Sequence, residues 1–107
     1  MVDQNSVNFT GRLTADPEVT ETSNGYPVAT LRVAINDERR DPETGEWVEQ
    51  TNFVGVTWYG NKAAAFAKRM KKGTRVAVTA AIRYSEWEKD GQKRSKIDFV
   101  ASRVNDL

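Results

Sequence analysis

A chain of 107 residues holds one domain's worth of core and no more. It contains no cysteine and no histidine, which excludes a disulfide framework, a thiolate metal site, and the commonest general base and zinc ligand. The net charge of +1 hides a split, with 4 arginines against 10 carboxylates in residues 1–53 and 12 lysines and arginines against 5 carboxylates in residues 54–107. An anionic partner for the second half competes with plain interleaving of opposite charges in the fold. No run approaches the roughly 20 apolar residues of a membrane span, and the polar start, Met1 to Ser6, has no signal-peptide core. A cytoplasmic location is the default expectation.

Val7, Phe9, Gly11 and Leu13 alternate with Asn8, Thr10 and Arg12, the period-two mark of a half-buried strand. Asp16-Pro17 ends it, since proline cannot extend a central strand. A short piece over residues 18–22 precedes the turn Ser23-Asn24-Gly25. From Val28 to Asn36 the buried series is Ala29, Leu31, Val33 and Ile35. Residues 37–50, charged and containing Pro42 and Gly45, read as a long hairpin loop with a mobile tip. In residues 51–59 one face carries Asn52, Val54, Val56 and Trp58, the other Phe53, Gly55, Thr57 and Tyr59. Both faces hold large aromatics, more than core packing alone can absorb. Asn61 is placed to cap a helix running to about Lys72, with Ala63, Phe66, Ala67 and Met70 on its apolar face and Gly73 as its stop. The strand over residues 75–87 sets Val76, Val78, Ala80, Ile82 and Tyr84 inward and Arg75, Thr79, Arg83 and Trp87 outward. Asp90-Gly91 centres a hairpin turn. In the last strand, about residues 94–104, two phases compete, which reads as burial on both sides. Five strands with a helix between the third and fourth give an all-β, one-helix Greek-key barrel of the OB type, one domain over residues 1–107.

Catalysis has little to work with. Five serines have no histidine to activate them, the carboxylates fall in solvated loops, and the glycines form no phosphate loop. No catalytic residue, metal or cofactor is expected. The stronger signal is that Phe53, Tyr59 and Trp87 share the non-core phase with Arg12, Arg32, Arg75 and Arg83. Aromatic faces stack on unpaired bases while cations follow the phosphates, a combination suited to single-stranded nucleic acid. The same aromatics would also suit a subunit interface. Phe9, Trp58 and Phe99 take core phases. Trp47 stands alone on the acidic segment, able to stack on a base or fold back onto the barrel. The basic run through Lys72 suits either a helix C-terminus or phosphate.

The order and spacing of these segments resemble the bacterial single-stranded DNA-binding protein family. The segment from Val7 to Leu13 with Asp16-Pro17-Glu18 is similar to the family's first strand and its exit. Asn24-Gly25 with Val28-Ala29 is similar to the approach to the second, and Thr44-Gly45-Glu46 to a turn in its long loop. Phe53, Val56 and Tyr59-Gly60 are similar to the third strand, and Lys72-Gly73 to the approach to the fourth. The similarity spans residues 4–105. It implies an OB-fold protomer, a homo-oligomer (a tetramer, or else a dimer), and sequence-independent binding of single-stranded DNA in replication, repair and recombination, close to the nucleoid. By position, Phe53, Tyr59 and Trp87 match the family's stacking aromatics, and Arg83 falls on its DNA path.

The chain also departs from the pattern. Arg39 replaces an aromatic after the second strand, exchanging a stacking platform for a phosphate contact. Val54 stands where a polar residue is common near subunit contacts. The chain stops at Asn105-Asp106-Leu107, where the family continues into a linker and an acidic tip, so recruitment of replication enzymes through that tip is not expected of it. The competing readings are a primosome-type OB protein that docks to a helicase, an RNA-binding OB module, and an oligomerisation module with weak nucleic-acid affinity.

Overall fold

A computed structural model describes all residues, 1–107. Its elements are β1 (Val7–Leu13), β2 (Glu18–Glu21), β3 (Pro27–Arg40), β4 (Trp47–Tyr59), α1 (Asn61–Ala67), β5 (Arg75–Lys89) and β6 (Gln92–Asp106). The sheet runs β1-β5-β6-β4-β3 and closes when β3 pairs back onto β1, with Arg12 opposite Ala34 and Leu13 opposite Val33. β2 adds to the free edge of β3. One pairing, β4 with β6 over Val56–Trp58, is parallel. This is the closed five-stranded barrel expected from the alternation, with the helix between the third and fourth barrel strands.

The barrel interior is filled by Leu13, Ala29, Leu31, Val33, Val56, Val76, Val78, Ala80, Ala101 and Val104, with Ala67 and Met70 closing one end. These are mostly small or β-branched side chains, as a narrow barrel requires. Phe9 and Phe99 meet edge to face at 6.4 Å, and Trp58 meets Phe66 likewise at 5.9 Å. All four are half-buried and pack against the core.

Where β1 and β3 close the barrel, a Cβ on Gly11 would sit 2.5 Å from the Ala34 carbonyl oxygen and 2.6 Å from Val33 Cγ1. Only glycine lets the two backbones approach this closely.

Several elements differ from the sequence expectation. Residues 37–50 are mostly not a loop. The β3–β4 ladder continues through Asp37, Glu38, Arg39 and Arg40, opposite Gln50, Glu49, Val48 and Trp47, and only residues 41–46 turn. Charged side chains do not prevent a two-stranded ribbon, because the ladder joins backbone groups and both faces remain solvated. The turn is tied by Asp41 N–H to the Glu46 carbonyl and Gly45 N–H to the Asp41 carbonyl, each at 2.8 Å.

The helix ends at Ala67 rather than near Lys72. The amides of Arg69 and Met70 donate to the carbonyls of Phe66 and Ala67, both at 3.1 Å. These i→i+3 bonds tighten the last turn and deliver Met70 into the barrel. Asn61 is the first helical residue and not the cap. That place belongs to Gly60 at φ 118°, with no side-chain cap bond. Gly73 lies in the turn before β5, its amide donating to the Leu13 carbonyl at 2.8 Å.

In β6, Arg103 is opposite Thr79 but Ala101 is opposite Ala80, so Ser102 is the extra residue of a β-bulge. The buried residues change phase there, from Ala101 to Val104. The two competing phases are therefore successive, not burial on both sides. Beyond Ile82, whose partner Phe99 still pairs with β4, β5 leaves the barrel as a second ribbon with β6, and Ile82 at the rim and Tyr84 past it are exposed despite their core phase. Its tip is a two-residue turn, Asp90 at φ 53° and Gly91 at φ 77°, the left-handed pair of a tight hairpin. The ribbons account for a radius of gyration of 16.4 Å, against about 13 Å for a compact domain of this length.

Candidate nucleic-acid interface

Residues directly opposite each other in a sheet share a face, so the register gives the composition of the outer surface. One row crosses four strands as Arg75, Arg12, Ala34 and Phe53. Two residues along, Arg32 lies opposite Gly55. Thr30, Thr57, Val100 and Ala81 form a further row. Past the barrel rim the same face continues on the β5–β6 ribbon as Arg83 opposite Asp98, Ser85 opposite Lys96, and Trp87 opposite Arg94.

The aromatics predicted to face outward do so. Phe53 is 75% exposed, Tyr59 40% and Trp87 42%. Arg32 and Phe53 line one hollow of about 180 Å³ with Thr14, Val33, Val54 and Gly55. Gly55 leaves the floor beside Phe53 bare, with nothing within 4 Å of where its Cβ would be. The Arg83 guanidinium carbon sits 5.8 Å from the Tyr59 ring centroid, a cation–π distance. This joins the ring on β4 to the ribbon that carries Trp87.

The cations of this face are uncommitted. The one salt bridge in the chain joins Lys96 to Asp98 at 3.5 Å, which leaves Arg12, Arg32, Arg75, Arg83 and Arg94 without an ion-pair partner. Arg12 makes a long contact from Nη1 to the Gly73 carbonyl at 3.4 Å. An array of open rings and unpaired guanidinium groups offers stacking and phosphate contact together.

Three predicted residues stand apart. Arg39, opposite Val48, takes the other phase of the β3–β4 ribbon and faces away from Phe53. Trp47 is 66% exposed and shares Phe53's phase, but the rungs Asn36–Thr51 and Glu38–Glu49 intervene. Lys72 lies on no strand. It sits in the turn after α1, where its amide donates to Asp16 Oδ1 at 2.7 Å.

The sequence reading also missed cations in the aromatic phase. Arg94 and Lys96 stand beside Trp87 and Arg83, and Arg40 stands opposite Trp47. The first two were within reach. A two-residue turn at Asp90-Gly91 fixes Lys89 opposite Gln92, and counting back places Arg94 beside Trp87.

Residues 4–107 match the model of the single-strand binding protein family. The chain is 38% identical over 104 residues to the single-stranded DNA-binding protein of Treponema pallidum, covering 97% of this chain and 58% of that protein. It is 38% identical over 100 residues to that of Aquifex aeolicus, covering 94% and 67%. Among solved structures, a deletion mutant of the single-stranded DNA binding protein from Thermus aquaticus superposes with a TM-score of 0.88 at 30% identity, over 97% of this chain and 50% of that one. Plasmodium falciparum SSB, in complex with ssDNA, superposes with a TM-score of 0.86 at 22% identity, over 100% of this chain and 97% of that one, a likeness of fold alone. The match is thus nearly complete from this chain's side, while it spans little more than half of the Treponema protein and half of the Thermus one. With the family model matched from residue 4 to the last residue, the chain belongs to the single-strand binding protein family.

Proposed function

We propose that this chain binds single-stranded DNA without sequence preference, stacking bases on Phe53, Tyr59 and Trp87 and holding phosphates with Arg12, Arg32, Arg75, Arg83 and Arg94. One observation carries the reading. Three exposed rings lie in one phase of a continuous face whose arginines have no acid partner. A duplex hides its base faces, so such a surface favours single strands. The names of the relatives and the ssDNA complex of the Plasmodium protein support the same reading. Its setting is replication, repair and recombination in the cytoplasm, beside the nucleoid.

The protein acts as a homo-oligomer, a tetramer or a dimer. Support comes from β1, which pairs with β3 only at Arg12 and Leu13 and leaves the edge from Val7 to Thr10 without a paired strand on that side. An open edge is a ready template for another strand. Beside it lies a polar surface on which the Thr79 hydroxyl donates to Asn8 Oδ1 at 2.9 Å.

The deciding experiment is a tryptophan-fluorescence titration with oligothymidylate, against a duplex of equal length, at two salt concentrations. Quenching by the single strand alone, weaker at high salt, supports stacking with phosphate contact. No quenching by either assigns the rings to a protein interface and overturns the reading.

A further inference from the structure

Two charged surfaces lie outside the aromatic face, and neither is neutralised within the chain. The β3–β4 ribbon, residues 37–49, carries six carboxylates (Asp37, Glu38, Asp41, Glu43, Glu46 and Glu49) against Arg39 and Arg40, a net of −4. Helix α1 and the turns after it, residues 61–74, carry Lys62, Lys68, Arg69, Lys71 and Lys72 and no acid, a net of +5. Asp16, Glu21 and Asp106 border this second surface, yet none pairs with its cations, because the one salt bridge lies elsewhere, on β6.

The geometry separates the two surfaces. Arg40 and Trp47 are six residues beyond the rung of Ala34 and Phe53, so the ribbon's end projects about 20 Å past it at the usual strand rise. The basic surface covers the barrel end that Ala67 and Met70 close. It holds no freely exposed ring of its own, since Phe66 is half-buried under Arg69, whose guanidinium carbon lies 5.0 Å from the ring centroid. The exposed Tyr26 ring lies only at its margin, with its hydroxyl 3.7 Å from where a Cβ on Gly60 would sit. Lys68 stands at the lip of an open hollow of about 720 Å³ between α1 and β2, whose lining also includes Glu21.

We propose that the acidic tip of the β3–β4 ribbon docks on the α1 surface of a second copy of this chain, linking neighbours bound in series on one DNA strand. The contact joins two different surfaces, so it does not close on itself and can repeat from copy to copy. It rests on the single-stranded DNA reading for the strand that aligns the copies, but not for the contact itself. Exposed pairs are individually weak and screened by salt, so at ordinary ionic strength the linkage needs DNA to hold neighbours close, while at low salt it forms without DNA.

The test uses Glu43→Lys with Glu46→Lys on the ribbon, Lys68→Glu with Lys71→Glu on the helix side, and the fourfold swap that carries both pairs. None of these residues belongs to the aromatic face, and circular dichroism checks each fold. Binding is measured on an oligothymidylate that seats one assembly and on one that seats several in a row, by mobility shift and mass photometry. The expected result is unchanged affinity on the short strand for all four proteins, about a fivefold loss of adjacent occupancy in each single-surface variant, and its return in the swap.

Lost affinity on the short strand in the Lys68/Lys71 variant would assign that surface to phosphate and overturn the proposal. So would adjacent occupancy that survives either reversal, or a swap that fails to restore it. If the parent binds no single strand, the function reading fails first. The contact is then judged without DNA by sedimentation as salt falls from about 0.3 M to about 0.03 M. Mass rising for the parent and the swap alone upholds it, and mass constant for the parent refutes it.

Discussion

Truncating Phe53 to alanine separates a stacking ring from a structural one, because the two roles predict opposite balances of binding and stability. The ring is 75% exposed, so only about a quarter of its surface is held by the fold. Truncating a fully buried phenylalanine costs about 3–5 kcal/mol. Scaled to that quarter, the stability cost is about 1 kcal/mol, or about 4–8 °C in melting temperature for a domain of this size. A base stacked on the ring contributes about 1–3 kcal/mol, so the dissociation constant should rise about 5- to 150-fold. Phosphate contacts are untouched, and the slope of log affinity against log salt should stay the same. The assay is titration of a short oligothymidylate at three salt concentrations, with a thermal melt of the same protein and Phe53→Trp as a control that restores a ring. Affinity within twofold of the parent, in a folded variant, would refute the stacking assignment. A melt lowered by far more than 8 °C would instead place the ring inside a subunit interface, which the single chain leaves open.

Arg32→Gln and Arg83→Gln should each reduce the salt slope by about 0.7 and leave the melt in place, since neither guanidinium has an ion-pair partner; unchanged slopes would remove both from the phosphate track. Trp58→Ala should cost about 2–4 kcal/mol in denaturant unfolding, below the loss for full burial because the ring is half-buried and held chiefly by Phe66 at 5.9 Å. Gly11→Ala should cost about 3 kcal/mol, the upper end of overpacking, because the atom 2.5 Å away is backbone at the barrel's closing rung; an unfolding curve that matches the parent's would mean β1 and β3 separate freely.

The strand phases of the barrel were legible because period two reports burial directly. Ala29, Leu31 and Val33, and again Val76, Val78 and Ala80, are buried as the alternation requires. The failures have separate physical causes. Alternation continues along β5 past the barrel rim, where Ile82 and Tyr84 are no longer buried, and pattern alone cannot mark the rim. Ser102 adds one residue to β6 without changing composition, so a bulge reads as two rival phases. Residues 37–40 and 47–50 form a ladder through backbone groups, to which charged side chains are indifferent. Lys68–Lys72 has helix-forming side chains, but the need to seat Met70 in the barrel ends the helix first. That is a tertiary demand overriding a local one.

The aromatic face was legible for the same reason as the barrel. Three rings on the non-core phase are conspicuous in a sequence whose core already has enough volume. Arginines were harder, since period two puts Arg39 and Arg40 on opposite faces, and only the register shows that Arg40 shares Phe53's phase and Arg39 does not. Charge was the least legible feature of all. The split between the two halves allowed simple interleaving, in which acids and bases neutralise each other on folding. The fold does otherwise, because a chain with 16 basic and 15 acidic residues forms one salt bridge. The ladder explains why: β3 pairs with β4, so the acidic segment folds onto itself, Glu38 opposite Glu49, and projects away from the cations of α1 and β5. Like charges directly opposite each other disfavour the ribbon, and that cost is compensated within the chain by backbone pairing, with the Thr51 hydroxyl donating to Asn36 Oδ1 at 3.0 Å and Arg40 Nε to the Gly45 carbonyl at 3.2 Å. Charges kept apart in this way remain available to other molecules, the arginines among the rings to an anionic strand and the ribbon to a basic surface.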